Sequence, residues 1–228
     1  AVTGWNAEAA VIGTMGVGTV DNVDVDASTV TGAYENAGAV IGRQHGNITI
    51  KNCDVSGCTI HLPKNETAPT AKNQNGAGGL IGRTQGGTQI ITNNTVTGTN
   101  ITAYRKAAGL IGYILQPSSI KLDGNAVTST TVTVYATNSN LDNAQKYYGV
   151  LFAEIQGVGT RAYENFTTLG SNNATYQLTN TSSEIGGLAL TPLGSNNSSF
   201  AESTNSNASY ILTISKCGQW NITSSSNS

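Results

Sequence analysis

Four five-residue phrases recur along this chain, and each is followed by a longer matching phrase. The short phrases are Ala- or Gly-led apolar runs that end in Ile-Gly, at 9–13, 38–42, 78–82 and 108–112. Each longer phrase centres on a valine that has an apolar residue five positions away on either side; the valines are Val25, Val55, Val96 and Val127. A unit this short is unable to bury a core alone, so it must stack on its neighbours.

The spacing of the units predicts how they stack. The central valines lie 30, 41 and 31 residues apart, and the extra length falls at one place in the unit, in the segments His61–Ala77 and Thr133–Tyr148. Insertions confined to one corner are typical of a solenoid, so we expect both loops to leave the same corner. Runs rich in Val, Ile and Thr, broken by Gly and Asn, indicate about three short strands per unit. The sequence therefore predicts an all-β fold, a parallel β-solenoid of four to five irregular coils with a divergent C-terminal capping region.

Two stretches resemble a known repeat. GGLIGRTQGGTQIITNNTVTG (78–98) and AGAVIGRQHGNITIKNCDVSG (37–57) are similar to the GLUG motif, a Gly-rich repeat of bacterial surface and adhesin-like proteins. The first and fourth units depart from the motif, at the Gly pair and at the GYILQPSS turn. The resemblance implies a parallel β-solenoid at a cell surface, and the motif carries no catalytic residues to transfer.

The repeats also suggest how the chain is organised. We expect a single domain over 1–228, with GLUG-like repeats over 9–152 and a divergent solenoid end and cap over 153–228. The apolar segments Tyr210–Ile214 and Trp220–Ile222 are expected to be closing strands. These strands either cover the end of their own solenoid or extend into a neighbouring copy and build a filament.

Composition limits the partners. Only 11% of the residues are charged, the net charge is −2, and the 11 Lys and Arg are scattered along the chain. Such a chain presents no field for a polyanion, so we expect no nucleic-acid partner. No apolar run approaches the ~18 residues of a membrane span. The start of the chain lacks a basic and apolar signal region, so a mature secreted terminus or an excised fragment is expected.

Frequent Asn-x-Ser/Thr triplets favour an extracellular, glycosylated protein. An Asn- and Thr-rich solenoid also generates such triplets without any glycan. The candidate glycosylation sites are Asn47, Asn65, Asn100, Asn165, Asn173, Asn180, Asn197, Asn207 and Asn221.

Three cysteines leave one without a partner in any pairing. Cys53 and Cys58 are a candidate disulfide if the chain turns at Gly57, because five residues of straight strand would hold them too far apart. A bridge to Cys217 and a role as small buried apolar residues are the alternatives.

Candidate catalytic groups are sparse. His45 and His61 have no acidic or nucleophilic neighbour at an informative spacing and are expected in solvated loops. The carboxylates of Asp21, Asp24 and Asp26 form one cluster, which suits calcium or half of an acid pair, yet calcium needs six or more oxygens. We therefore expect no enzyme activity, no cofactor and no metal, with a polysaccharide-active β-helix enzyme as an alternative.

Two sets of surface residues point to binding. One position of successive units holds Thr29, Thr59, Asn100 and Thr131, a row that resembles part of an ice-binding array. A second set, Tyr104, Tyr113, Tyr147 and Tyr148, is able to meet a sugar ring or to fill the structure. The sequence favours an adhesin-like or fibre-forming protein of the cell surface. Its expected partners are a host or neighbouring-cell surface glycan or protein, or copies of itself end to end.

Overall fold

The computed structural model describes the repeats in atomic detail and the C-terminal region as strands. The described residues are 2–4, 7–33, 35–63, 76–134, 147–149, 151–156, 166–169, 172–180, 189–190, 199–203, 208–216 and 219–225. Side chains are described in 7–33, 35–63, 76–134, at 149 and in 151–154.

The described chain is built of short strands and contains no helix, hence none that crosses a membrane. The first twenty strands are β1 Val2–Gly4, β2 Ala7–Ala9, β3 Ile12–Met15, β4 Gly18–Asp21, β5 Asp24–Asp26, β6 Thr29–Gly32, β7 Asn36–Gly38, β8 Ile41–His45, β9 Ile48–Lys51, β10 Asp54–Ser56, β11 Thr59–Leu62, β12 Gly76–Gly78, β13 Ile81–Gln85, β14 Thr88–Thr92, β15 Thr95–Thr97, β16 Asn100–Ala103, β17 Lys106–Ala108, β18 Ile111–Leu115, β19 Ser119–Asp123 and β20 Ala126–Val134. The others are β21 Tyr147–Gly149, β22 Phe152–Gln156, β23 Phe166–Leu169, β24 Asn172–Asn180, β25 Ala189–Leu190, β26 Ser199–Ser203, β27 Ala208–Lys216 and β28 Gln219–Ser225.

Equivalent strands of successive repeats pair in parallel and form four stacked sheets. Sheet A holds the series β5, β10, β15 and the series β1, β6, β11, β16, both of which meet β20. Sheet B holds β2, β7, β12, β17 and β21; sheet C holds β3, β8, β13, β18 and β22; sheet D holds β4, β9, β14, β19 and β23. The fold is thus all-β, with parallel strands in stacked sheets, and this arrangement is consistent with a parallel β-solenoid.

The predicted register is confirmed. The four central valines pair in sequence on sheet A, and all four are buried; they are Val25, Val55, Val96 and Val127. The isoleucines of the short phrases pair in the same way on sheet C; they are Ile12, Ile41, Ile81 and Ile111. Both columns belong to one apolar cluster, with Ile12 partly buried against it. Because strand side chains alternate, the intervening residues of sheet A point outward.

Each of the first three repeats contains five short strands rather than the three expected from the sequence. The extra breaks come from sharp corners. Gly57, with φ +59°, separates β10 from β11, and Ala27, Gly98 and Ser129 take the same left-handed conformation at the equivalent corners. A residue in this region turns the chain out of the extended conformation. Ser28, Cys58, Thr99 and Thr130 follow these corner residues, and each side chain hydrogen-bonds the backbone carbonyl two residues before it.

Parallel pairing continues into a further layer. Strands β21, β22, β23 and β24 pair in parallel with β17, β18, β19 and β20, although the sequence loses the repeat pattern after residue 152. Strands β26 and β27 then pair antiparallel with β22 and β24, and β28 pairs antiparallel with β27. The expected closing segments Tyr210–Ile214 and Trp220–Ile222 are therefore strands, folded back on their own chain.

The two long insertions leave the same corner. Leu62 at the end of β11 and Val134 at the end of β20 occupy one column of sheet A, both in register with Ala103. The insertions return to equivalent strands of sheet B, β12 and β21. Residues 64–75 and 135–146 lie outside the described residues.

Sheets B and C contact each other through backbone. Gly82 of β13 lies against Ala37 of β7, and a Cβ at Gly82 would be 2.5 Å from the Gly42 carbonyl oxygen and 2.7 Å from the Ala37 amide nitrogen. Gly42 is equally close to the backbone of β2, and Gly112 to the backbone of β12, both of them strands of sheet B in the previous repeat. The glycine of each short phrase therefore lets two backbones approach more closely than any side chain permits.

Buried asparagines form a hydrogen-bonded ladder at the corner between sheets D and A. The Asn94 side-chain oxygen accepts from the Cys53 amide at 3.1 Å, and its nitrogen donates to the Ile50 carbonyl and to Asn125 Oδ1. The Asn125 nitrogen donates to the Ile91 carbonyl at 2.8 Å. The asparagine side chains thus supply hydrogen bonds to backbone amide and carbonyl groups that have no strand partner at this corner.

Candidate functional site

The outward face of sheet A, which we call the outer face, is a regular polar lattice. Its columns on β6, β11, β16 and β20 are Thr29, Thr59, Asn100, Thr131 and Thr31, His61, Thr102, Thr133. Its columns on β5, β10, β15 and β20 are Asp24, Asp54, Thr95, Ala126 and Asp26, Ser56, Thr97, Thr128. All of these side chains are exposed or half-buried. Neighbouring rows are about 4.8 Å apart and side chains along a strand about 6.6 Å apart.

The predicted threonine row is thus confirmed as a column, and a second column lies beside it. Thr29, Asn100 and Thr131 are each followed, two residues later on the same strand, by another threonine: Thr31, Thr102 and Thr133. Each threonine offers a methyl group and a hydroxyl group at a fixed position. The Thr97 and Thr128 hydroxyls also bond each other at 3.0 Å. Such a face presents alternating apolar and hydrogen-bonding groups in a repeating pattern.

One end of the outer face is acidic. Asp24, Asp26 and Asp54 are all exposed there, and the Ser56 hydroxyl donates to Asp26 at 2.5 Å. Asp21 instead lies on sheet D and pairs with Lys51 at 3.0 Å. The hydrogen bond from the Asn52 side chain, together with Lys51, lowers the pKa of Asp21. Within 7–33, 35–63, 76–134 and 151–154, no three His, Cys, Asp or Glu side chains are grouped to hold a metal ion.

An open groove of about 340 Å³ runs over sheet D. It is lined by Val17, Gly18, Thr19, Asn47, Ile48, Thr49, Thr88 and Ile90. Asn47, a candidate glycosylation site, is exposed at its rim, and its side-chain oxygen accepts from the Thr88 amide at 2.8 Å. The groove mixes hydroxyl and apolar groups and contains no titratable side chain.

The other candidate glycosylation sites divide into three sets. Asn100 is exposed on the outer face. Asn173 and Asn180 lie on β24 and Asn221 lies on β28, strands whose side chains are not described. Asn65, Asn165, Asn197 and Asn207 lie outside the described residues. Asn47 and Asn100 therefore have the surface position that a glycan needs.

Cys53 and Cys58, the candidate disulfide pair, are both free and buried. Strand β10 separates them with three extended residues, roughly 10 Å of chain, and this spacing keeps the thiols apart despite the corner at Gly57. Both belong to the apolar core cluster, which agrees with the alternative of small buried apolar residues. Cys217 lies outside the described residues.

Burial raises the pKa of both thiols, so they should be unreactive in the folded protein. In a Cys217→Ser background, we expect no reaction with a thiol reagent at pH 8 until the protein unfolds, and then two thiols per chain. An unfolded protein that releases no thiol and has a mass lower by two hydrogens would establish the disulfide instead.

A buried charged column joins sheets B and C. Successive strands of sheet C place Arg43, Arg83, Tyr113 and Glu154 in register. Lys106 of sheet B lies over the Tyr113 ring at 3.7 Å and pairs with Glu154 at 2.6 Å. Burial lowers the pKa of Lys106, while Glu154 opposes that shift, and burial raises the pKa of Tyr113. These side chains hold the two sheets together, because the residues Arg83, Lys106, Tyr113 and Glu154 are all buried.

Glu8, on β2 of sheet B, is another buried acidic residue. Burial raises the pKa of Glu8 to about 7, with added repulsion from Glu35, while a backbone hydrogen bond from Ala33 acts in the opposite direction. Glu35 itself forms an ion pair with Arg43 at 3.3 Å.

The structure corrects the expectation for the two histidines. His45 and His61 lie on strands β8 and β11 rather than in loops, and burial, with Arg43 and Arg83 adding to it, lowers the pKa of His45. Tyr113 is buried under Lys106, which agrees with the alternative that it fills the structure, while Tyr104 is half-buried. Tyr147 and Tyr148 lie on β21, where side chains are not described.

Sequence reasoning missed the charged column and the asparagine ladder. The signal for the first was the repeated Gly-Arg at 42–43 and 82–83, and for the second the asparagines at equivalent positions 94 and 125. Comparisons with protein-family models, curated proteins and solved structures found no match. The likeness to GLUG repeats stays a prediction.

Proposed function

We propose that this protein is a secreted or cell-surface, non-catalytic β-solenoid that binds an extended surface glycan of a host or neighbouring cell. The proposal includes four to five coils and a divergent C-terminal cap. The regular lattice of the outer face is the observation that carries it. A repeating polymer meets equivalent hydroxyl and methyl groups at each row, so many weak contacts add along one surface.

The proposed location is extracellular. The Asn-x-Ser/Thr triplets and the resemblance to surface repeats support it, and the exposure of Asn47 and Asn100 makes two of these sites accessible to a glycan. A role as subunit of a surface fibre ranks below adhesion. A filament would extend β27 and β28 into its neighbour, but β27 is paired with β24 of its own chain and β28 is paired with β27.

Variants of the outer face test the binding proposal. Replacing Thr59 and Thr102 together with Arg introduces bulk and charge into two rows that are otherwise flat. We expect binding on a glycan array, or to the surface of a neighbouring cell, to fall about tenfold or more, with little change in melting temperature because both side chains point outward. Thr92→Arg on the outward side of sheet D is the matched control. Equal binding by both variants would exclude the outer face.

Ice binding is the second candidate, and the second threonine column favours it. Thr31, Thr102 and Thr133 extend the first column into a two-dimensional array. The same double variant separates the two functions. Loss of thermal hysteresis with no glycan signal in the parent protein would assign ice binding, and turnover of a uronic-acid polymer would favour the enzyme alternative over both.

A further inference from the structure

The first repeat leaves one edge of every sheet uncovered. Strands β2, β3 and β4 end sheets B, C and D, and β5 ends its series in sheet A, with no strand beyond them in the described part of the chain. We call this surface the first-repeat edge. In a parallel ladder, alternate residues bond to each neighbouring strand, so half of the amide and carbonyl groups of these strands point away from the solenoid.

Apolar side chains are exposed at the same edge. Val11 is 46% exposed, whereas Val40 and Leu80 at the equivalent position of the next repeats are fully buried. Val17 is 74% exposed, and Ile12, Met15 and Val23 are only partly buried against the core. The edge therefore joins unpaired backbone to an open section of the core, the two features that another repeat would cover.

One strand of such a further repeat is already present. Strand β1 pairs with β6 in register, Val2 with Val30, Thr3 with Thr31 and Gly4 with Gly32. The three residue pairs are identical, so β1 repeats the end of a longer phrase. It occupies the layer beyond the first repeat, in the place where that layer's last strand would lie.

We infer that the first-repeat edge is a docking surface for a further repeat of this same pattern, which lies on the N-terminal side of β1 in the polypeptide. Its strands add in parallel to β2, β3, β4 and β5, as β-strand addition at a sheet edge requires. Its apolar columns bury Val11 and Ile12. The following strand of that repeat is β1 itself.

A second copy of the chain suits this edge less well. At the opposite end of a copy, sheets C and A are occupied, because β22 and β24 pair antiparallel with β26 and β27 of the same chain. Two first-repeat edges facing each other would bring together two sets of Asp21, Asp24 and Asp26. Like charges on directly adjacent strands repel each other.

The test extends the full chain by one repeat. A copy of residues 76–99 placed directly before Ala1 supplies equivalents of β12, β13, β14 and β15, with β1 as the next strand. We expect amide exchange of β3 and β4 to slow about tenfold or more, because their outward amides gain partners. The added segment should itself resist proteolysis, and the melting temperature should rise.

A control extension carries Asp in place of the copied Leu80, Ile91 and Val96, so that it has the same length without a core. It should leave exchange in β3 and β4 unchanged. An intact added repeat that stays exposed to protease, with no slowing in β3, would overturn the inference. Dimerisation of the unextended protein, lost on Val11→Asp, would also overturn it by assigning the edge to a second copy. Neither result depends on glycan or ice binding by the outer face.

Discussion

Replacing Gly82 with Ala should destabilise the protein by about 3 kcal/mol or more, or prevent its folding. The added Cβ would lie 2.5 Å from the Gly42 carbonyl oxygen and 2.7 Å from the Ala37 nitrogen. Both contacts are to backbone atoms of neighbouring strands, so no flexible side chain is able to move aside. Chemical denaturation of the purified variant, followed by circular dichroism, measures the change.

Gly16→Ala is the matched control, because a Cβ there has no atom within 4 Å. It should change the free energy of unfolding by less than about 0.5 kcal/mol. If Gly82→Ala unfolds at the same denaturant concentration as the parent protein, the close backbone contact between sheets B and C is wrong.

Replacing Asn94 with Ala should cost about 3 kcal/mol or more, although it removes only a small polar side chain. The substitution removes the acceptor of the buried Cys53 amide and one donor each from the Ile50 carbonyl and Asn125 Oδ1, of which Asn125 Oδ1 still accepts from the backbone amide of residue 94. Each buried polar group without a partner costs about 1–3 kcal/mol. The same denaturation experiment reports the loss.

The adjacent Asn93 gives the contrasting variant. Asn93 is exposed and has φ +56°, a conformation that glycine adopts without strain. Asn93→Gly should therefore change stability by less than about 0.5 kcal/mol. Similar losses at both positions would show that the turn itself, and not the buried ladder, supplies the stability.

The sequence was informative about register because register depends on spacing. The five-residue apolar spacing around Val96 recurs around the other three central valines, and only stacking in register buries all four. The sequence was less informative about corners. The break between β10 and β11 depends on the left-handed conformation at Gly57, which at the equivalent position is adopted by Ala27. A left-handed alanine leaves no signal in the residue type.

The sequence by itself determined the repeating unit, the parallel stacking of its strands and the single corner from which the long loops leave. These follow from local spacing and from the need of short units to bury apolar residues together. Only the tertiary structure decided which polar residues are interior. Lys106 and Glu154 are 48 residues apart, and they meet because sheets B and C pack together. Burial of a charge depends on such long-range partners, and those partners are set by the fold rather than by the neighbouring residues.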